Sequence, residues 1–227
     1  MPVTNPIVRS GAFCNLSGEA AKSFELIATE VRSTRGNRIF SEGELAEQVF
    51  ILREGRIKIS VTSREGKTII LRIAEGGQLL GLSAVLLGKE YEASAEALEP
   101  CRLLSIPSRE FKRFLMKHPE GAMEATRWAL KEYQTLFDDI CRLALPTTVA
   151  GRLAGLLLNW LKGRPNSGQA NPRLIMALTH EEIADMAGTS RETVSRTLQQ
   201  FQRENVISIK GASLTILRPE ALEQLAV

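Results

Sequence analysis

The segment THEEIADMAGTSRETVSRTLQQF, residues 179 to 201, constrains the fold of this chain more than any other. Thr179 followed three residues later by Glu182 is the spacing of a capping box, in which each side chain satisfies the other's free backbone N–H and a helix begins. Ile183, Ala184 and Ala187 fall on the inner face of that helix, and the small side chains at 184 and 187 let a second helix cross closely. Gly188 can take the positive φ of a sharp turn. Ser190 then caps a second helix whose buried side is Val194, Leu198 and Phe201, at i, i+4 and i+7. Two helices joined by a short glycine turn make a helix-turn-helix.

The outward face of the second helix carries Arg191, Glu192, Ser195, Arg196 and Gln199. An arginine can offer two parallel donors to guanine O6 and N7, and a glutamate can accept from cytosine N4. These residues stand at the start of the helix, the end that enters the major groove in such motifs. Downstream, Val206 to Ile209 and Leu214 to Leu217 alternate around Lys210-Gly211, which predicts a hairpin wing with Lys210 placed to meet phosphate. A charged helix face is usually only solvated. Here the capping box, the small crossing, the turn glycine, the cap serine and the wing follow in the order a DNA reader needs.

Upstream the text has a different character. Leu16, Ala20, Phe24 and Ile27 recur at helical spacing and predict a helical lead-in over 13 to 35. From Arg38 to Ile106, short apolar runs alternate with glycine-bearing turns: Val49 to Leu52, Ile57 to Val61, Ile69 to Ile73, Leu79 to Leu87 and Leu103 to Ile106. That rhythm predicts an antiparallel sandwich or roll. Ile57, Ile59 and Val61 should point one way, and Lys58, Ser60 and Thr62 the other. After Pro107 helix formers take over. Leu130, Tyr133, Phe137, Ile140 and Ala144 are spaced 3, 4, 3, 4, which is a heptad seam. A helix that long cannot be covered by one small roll, so a partner helix in a twofold dimer is expected. Pro146 should interrupt the helix and act as a hinge with Leu145. A new helix is expected from about Thr148 to Leu161, and GRPNSGQANP, residues 163 to 172, reads as a loop. The fold class is therefore α+β: an N-terminal β-roll over 1–117, a dimerisation helix over 118–145 and a C-terminal winged helix-turn-helix over 146–227.

The net charge of +3 over 227 residues is mild. From Pro146 onward there are nine Lys/Arg against seven Asp/Glu, so neither half is polybasic and DNA affinity must rest on a few placed side chains. No run approaches a membrane span and no secretory signal is visible, so a cytoplasmic location is expected. Cys14, Cys101 and Cys141 are too dispersed for a disulfide framework. No phosphate-binding loop, HExxH, nucleophile elbow or metal-spaced Cys/His set appears, which argues against an enzyme and against a metal site or cofactor. His118 reads as a capping or surface residue, and His180 as facing solvent or phosphate.

SRETVSR (Ser190 to Arg196), the glycine-punctuated roll and the long helix before Pro146 together resemble the Crp/Fnr family of bacterial regulators, the cyclic-AMP receptor protein type, over about Phe13 to Leu225. The resemblance implies a jelly-roll fold like that of cyclic-nucleotide-binding domains, a homodimer, double-stranded DNA as ligand and RNA polymerase as partner. It places base reading on Arg191, Glu192 and Arg196 in one branch of the family, and on Glu192, Ser195 and Arg196 in the other. A TGTGA-like half-site in an inverted repeat follows, with phosphate contacts at Thr179, Ser190, Thr193 and Lys210.

The departures concern regulation. Cyclic-AMP-binding members carry Gly-Glu followed about ten residues later by Arg-Ser. The matching stretch here is GLSAVLLGKEYEAS. Leu82 stands at the Glu position, Glu92 at the Arg position and Ala93 at the Ser position. The Thr-Ser pair that meets adenine aligns near Leu136 and Phe137. An anionic phosphate beside Glu92 would be repelled. Three dispersed cysteines cannot supply the four ligands of an iron–sulfur cluster. The expected effector pocket is Gly81, Leu82, Ser83, Glu92, Leu136 and Phe137. It either holds a small-molecule effector other than cyclic AMP or is packed shut by side chains. A regulatory cyclic-nucleotide-binding module is the alternative to a regulator.

Overall fold

The structure is a computed structural model and describes residues 11–66, 68–145, 148–161, 173–175, 178–211 and 213–226. The chain divides into two compact units, Met1–Thr135 and Leu136–Val227. The division falls inside the long helix.

The first unit opens with α1 (Gly18–Ile27), shorter than the expected lead-in, because Thr29–Ser33 is strand β1. Its residues are mostly exposed, a charged edge strand with no alternation to read. Two antiparallel four-stranded sheets follow. One runs β1-β8-β3-β6, with β3 (Gln48–Glu54), β6 (Leu79–Leu80) and β8 (Cys101–Pro107). The other runs β2-β7-β4-β5, with β2 (Arg38–Phe40), β4 (Arg56–Thr62), β5 (Thr68–Glu75) and β7 (Ser94–Ala97). Val49, Phe50, Ile51 and Leu52 are all buried, because β3 is hydrogen-bonded between two neighbours while α2 (Leu82–Leu87) and α3 (Ser108–Lys117) also pack on it.

Two strand expectations change. Leu79 to Leu87 splits into the two-residue β6 and the helix α2. Gly81 turns the chain with φ +75° between them, and a short apolar run does not by itself choose between strand and helix. In β4 the alternation fails at Ser60, which is buried rather than outward-facing. A register shift between Ile59 and Ser60 moves it inward.

Helix α4 covers Pro119–Ala144 in a single run of 26 residues. Leu130, Tyr133, Phe137 and Ile140 are 57–66% exposed, and Ala144 is exposed with them. The seam is therefore uncovered in one chain. Pro146, expected as the hinge, and the 163–172 loop lie outside the described residues.

In the second unit α5 (Val149–Leu161) buries Leu153, Leu156, Leu157 and Leu161. α6 (His180–Ala187) and α7 (Arg191–Arg203) come next, then β10 (Ile207–Lys210) and β11 (Ser213–Ile216). A strand with no counterpart in the sequence reading, β9 (Arg173–Ile175), pairs with β11 to complete a three-stranded sheet. Helix α8 (Pro219–Leu225) buries Leu222 and packs on α5.

Candidate nucleic-acid interface

The helix-turn-helix is held by local chemistry. Thr179 Oγ1 accepts from Glu182 N at 3.2 Å, and Glu182 Oε2 accepts from Thr179 N at 2.8 Å, so both halves of the capping box are made. Ile183, Ala184, Met186 and Ala187 are buried. Gly188 ends α6 at φ +60°. The last-turn carbonyl of Ala187 accepts from Arg152 Nε at 2.8 Å, which ties α6 to α5. Ser190 Oγ accepts from Thr193 N at 3.2 Å, and α7 starts there. Val194, Leu198 and Phe201 are at most 2% exposed. Full burial of one such side chain is worth about 1.5–3 kcal/mol. Together they fix which face of α7 is left for solvent.

Arg191, Glu192, Arg196 and Gln199 are exposed on that face. Arg196 Nη2 lies 3.1 Å from Glu192 Oε1, one turn away, and both side chains are more than 70% exposed. A pair that open to water contributes little stability, about 0.3–0.5 kcal/mol, and either partner can leave it for a base edge. Ser195 differs from its neighbours. It is half-buried, its Oγ donates to the Arg191 carbonyl at 3.0 Å, and its Oγ lies 2.8 Å from His180 Nδ1. His180, expected to face solvent or phosphate, is half-buried. The tie spans fifteen residues and joins two helices, which sequence spacing alone does not reveal.

The expected phosphate contacts lie at or near the starts of α6 and α7 and at the end of β10. Thr179 and Ser190 are exposed at the starts of α6 and α7, Thr193 is half-buried, and Lys210 is exposed at the end of β10 beside the turn at Gly211. Backbone N–H groups at two helix starts favour anions.

The residues of the expected effector pocket belong to both units, each with its surroundings in its own unit. Leu82 is 1% exposed and belongs to the core of the first unit. Gly81 caps α2, where a Cβ would stand 2.7 Å from the Tyr91 ring. Ser83 and Glu92 are exposed and meet, Ser83 Oγ donating to Glu92 Oε2 at 3.2 Å. Leu136 and Phe137 belong to the second unit and are exposed. Within the first unit Arg72 Nη2 lies 2.7 Å from Glu132 Oε1, a partly buried ion pair between β5 and α4. Burial pushes the Glu132 carboxyl above the usual carboxylate range, Arg72 pulls it back, and Glu92 pushes it further up. Neither residue was singled out from the sequence, because nothing local marks them.

His118, expected at the surface or as a cap, is buried against Phe114, although its backbone N–H does end α3 by bonding the Phe114 carbonyl. Cys101 is buried, with burial pushing its thiol up, while Cys14 and Cys141 are half-buried. Among the described residues no cluster of His, Cys, Asp and Glu could hold a metal ion, and no helix is long and apolar enough to cross a membrane.

Comparison with known proteins agrees with this architecture. A family model described as a cyclic nucleotide-binding domain matches residues 30–118, and one described as a Crp-like helix-turn-helix domain matches residues 151–225. The chain is 27% identical over 179 residues to the cAMP-activated global transcriptional regulator CRP of Salmonella typhimurium, covering 78% of this chain and 84% of that protein. It is 27% identical over 224 residues to the transcriptional activatory protein AadR of Rhodopseudomonas palustris, covering 98% and 92%. The structure of FixK2 from Bradyrhizobium japonicum superposes with a TM-score of 0.79 at 21% identity, covering 88% of this chain and 98% of that one, which establishes a shared fold. The chain thus carries a cyclic nucleotide-binding domain and a Crp-like helix-turn-helix domain, and along most of its length it is similar to transcription regulators of the Crp type.

Proposed function

We propose that this protein is a homodimer that binds an inverted-repeat, TGTGA-like DNA site by placing α7 of each subunit in a major groove. The observation that carries this reading is the exposed row Arg191, Glu192 and Arg196 at the start of a helix whose opposite face is buried. Arg191 and Arg196 supply donors for guanine, and Glu192 supplies an acceptor for cytosine. Thr179, Ser190, Thr193 and Lys210 set the register on phosphate. The uncovered seam Leu130, Tyr133, Phe137, Ile140 and Ala144 supports self-association through α4, which would space two α7 helices about one DNA turn apart. The chain then works in three parts: the roll to residue 117, the dimer helix over 118–145 and the DNA-binding part from 146. RNA polymerase is the partner a bound regulator of this kind recruits or obstructs, and the role is binding, not catalysis.

Control by cyclic AMP is not part of this reading. With Leu82 in the core, Glu92 close enough to Glu132 to raise its pKa, and Arg72 already paired to Glu132, an anionic phosphate lacks its usual anchors. Regulation comes from an effector other than cyclic AMP or acts without one. The match over 30–118 favours a second reading, a cyclic-nucleotide-responsive module. A thermal-shift titration with cyclic AMP separates the two: no shift is expected, and a saturable rise in Tm would restore the second reading.

The DNA reading is tested with two variants on duplexes carrying the half-site. Arg191→Ala should lose discrimination at one base position, about 1–3 kcal/mol. Lys210→Ala should weaken all sequences alike and lower the slope of log affinity against log salt by about one. Wild-type protein with no sequence preference at any salt would contradict the proposal.

A further inference from the structure

Ser195 lies on the reading face by sequence, yet its hydroxyl is already engaged. Oγ–H donates to the Arg191 carbonyl at 3.0 Å, the carbonyl one helical turn back. A hydroxyl has one proton, so what remains on Oγ is acceptor capacity alone. His180 Nδ1 stands 2.8 Å away. With the serine proton committed, that contact is a hydrogen bond only if the imidazole carries its proton on Nδ1 and donates it. The result is a chain of two hydrogen bonds, from His180 at the first residue of α6, through Ser195, to the backbone of Arg191 at the first residue of α7. It links the beginnings of the two helices on the side where Arg191 and Glu192 emerge. The Arg191–Ser195–His180 chain is separate from the buried crossing of Ala184, Ala187 and Val194.

We infer that Ser195 is a positioning residue and not a base reader, that His180 holds it there, and that base preference in this protein rests on Arg191, Glu192 and Arg196. Of the two reading patterns the sequence satisfies, the structure supports the one without the serine. This rests on the proposed DNA reading and deepens it. A base-edge acceptor could take the Ser195 proton only by breaking the bond to the Arg191 carbonyl, whereas no side-chain hydrogen bond of Arg191 would have to break and the Glu192–Arg196 pair is solvent-open.

The test uses full-length protein and fluorescence anisotropy on a panel of inverted-repeat duplexes in which each half-site position is changed through all four base pairs. Wild type, Ser195→Ala, His180→Ala, His180→Asn and the Ser195→Ala/His180→Ala double variant are compared at one salt concentration. Ser195→Ala is expected to weaken every duplex by the same few-fold factor and to keep each position's discrimination within about twofold of wild type. His180→Ala should do the same. The double variant should bind no more than about twofold worse than the weaker single, because both substitutions break one chain. His180→Asn, whose amide N–H can take the place of Nδ1–H, should recover most of the loss, which a merely structural contact would not. A tenfold or greater loss of discrimination confined to one position in Ser195→Ala would overturn the inference and make Ser195 a reader. Additive losses in the double variant would overturn the role of His180. A wild type without base preference would instead remove the DNA reading beneath it.

Discussion

Substitution of Ile140 by alanine separates a dimer seam from a helix face that is merely solvated. Ile140 is 64% exposed in one chain, in line with Leu130, Tyr133 and Phe137. Fully burying an isoleucine side chain is worth about 1.5–3 kcal/mol, so roughly two thirds of that, about 1–2 kcal/mol, remains to be gained when a partner helix covers it. A twofold interface contains the residue twice, which brings the loss in Ile140→Ala to about 2–4 kcal/mol of dimerisation free energy. At 1.4 kcal/mol per tenfold, the dimer dissociation constant should rise roughly 30- to 700-fold. The stability of the single chain should hardly change, because the side chain is mostly in water there. Leu153→Ala is the contrast: that residue is 0% exposed, and its truncation should cost about 2–5 kcal/mol of folding free energy. Sedimentation equilibrium over a range of protein concentrations reads the first quantity, and denaturant unfolding at a dilution where both proteins are monomeric reads the second. If Ile140→Ala left the association constant unchanged but lowered unfolding stability by more than about 2 kcal/mol, Ile140 would pack within its own chain and the seam would be misread.

Three further outcomes follow from the same geometry. Gly188→Ala places a Cβ with no atom within 4 Å at φ +60°, so it should cost only the left-handed backbone penalty, about 1–2 kcal/mol by thermal or chemical unfolding. A loss far above that would mean that the turn between α6 and α7 is crowded. The Arg56 guanidinium, 2.6 Å from Glu99, holds that carboxyl below the usual carboxylate range. A depressed carboxylate contributes stability above its unfolded pKa, about 4.3, and loses it as pH falls through the folded value. With Glu99 partly open to solvent, Glu99→Gln should cost about 0.5–1 kcal/mol at pH 7, and its stability should converge on wild type in acid, which unfolding curves from pH 7 to 2.5 would show. A constant gap over that range would contradict the assignment. Thr179→Ala removes the side chain that accepts from Glu182 N, and should lower the stability of the DNA-free protein by about 1 kcal/mol in chemical unfolding.

The parts of this protein that were readable from sequence are those whose causes are local. The capping box at Thr179 and Glu182, the glycine at 188 and the cap at Ser190 lie within twelve residues, and each is a statement about its own backbone. The grouping of Leu130, Tyr133, Phe137 and Ile140 on α4 is legible for a related reason: steps of three and four residues put side chains on one side of a helix whatever comes to cover them. What escaped depends on distant partners. β1, β2, β7 and β9 are three to five residues long, and their pairing is set by strands far away in the chain. β1 is a charged edge whose Glu30 bonds Arg102 across the sheet, seventy-two residues on. Ser60 turns inward through a bulge that no alternation encodes.

The candidate site divides in the same way. Arg191, Glu192 and Arg196 were found because helix periodicity separates the face they share from Val194, Leu198 and Phe201. The partnership of Ser195 with His180 was not found, because it exists only once α6 lies against α7. The expected effector pocket draws on residues that are far apart in sequence, each with surroundings of its own. Leu82 packs into the core of the first unit, and Glu92 stays at the surface with Ser83, a division that depends on the folded roll and not on local sequence. The Arg72–Glu132 pair that joins β5 to α4 had no motif to announce it.

Selection of the full-length protein on a random duplex library, followed by sequencing of the bound fraction, tests the central claim most directly. Two α7 helices related by a twofold axis should enrich an inverted repeat whose half-site centres lie about 10–11 base pairs apart. Enrichment of a single unpaired half-site or a direct repeat, or no enrichment at all, would contradict it.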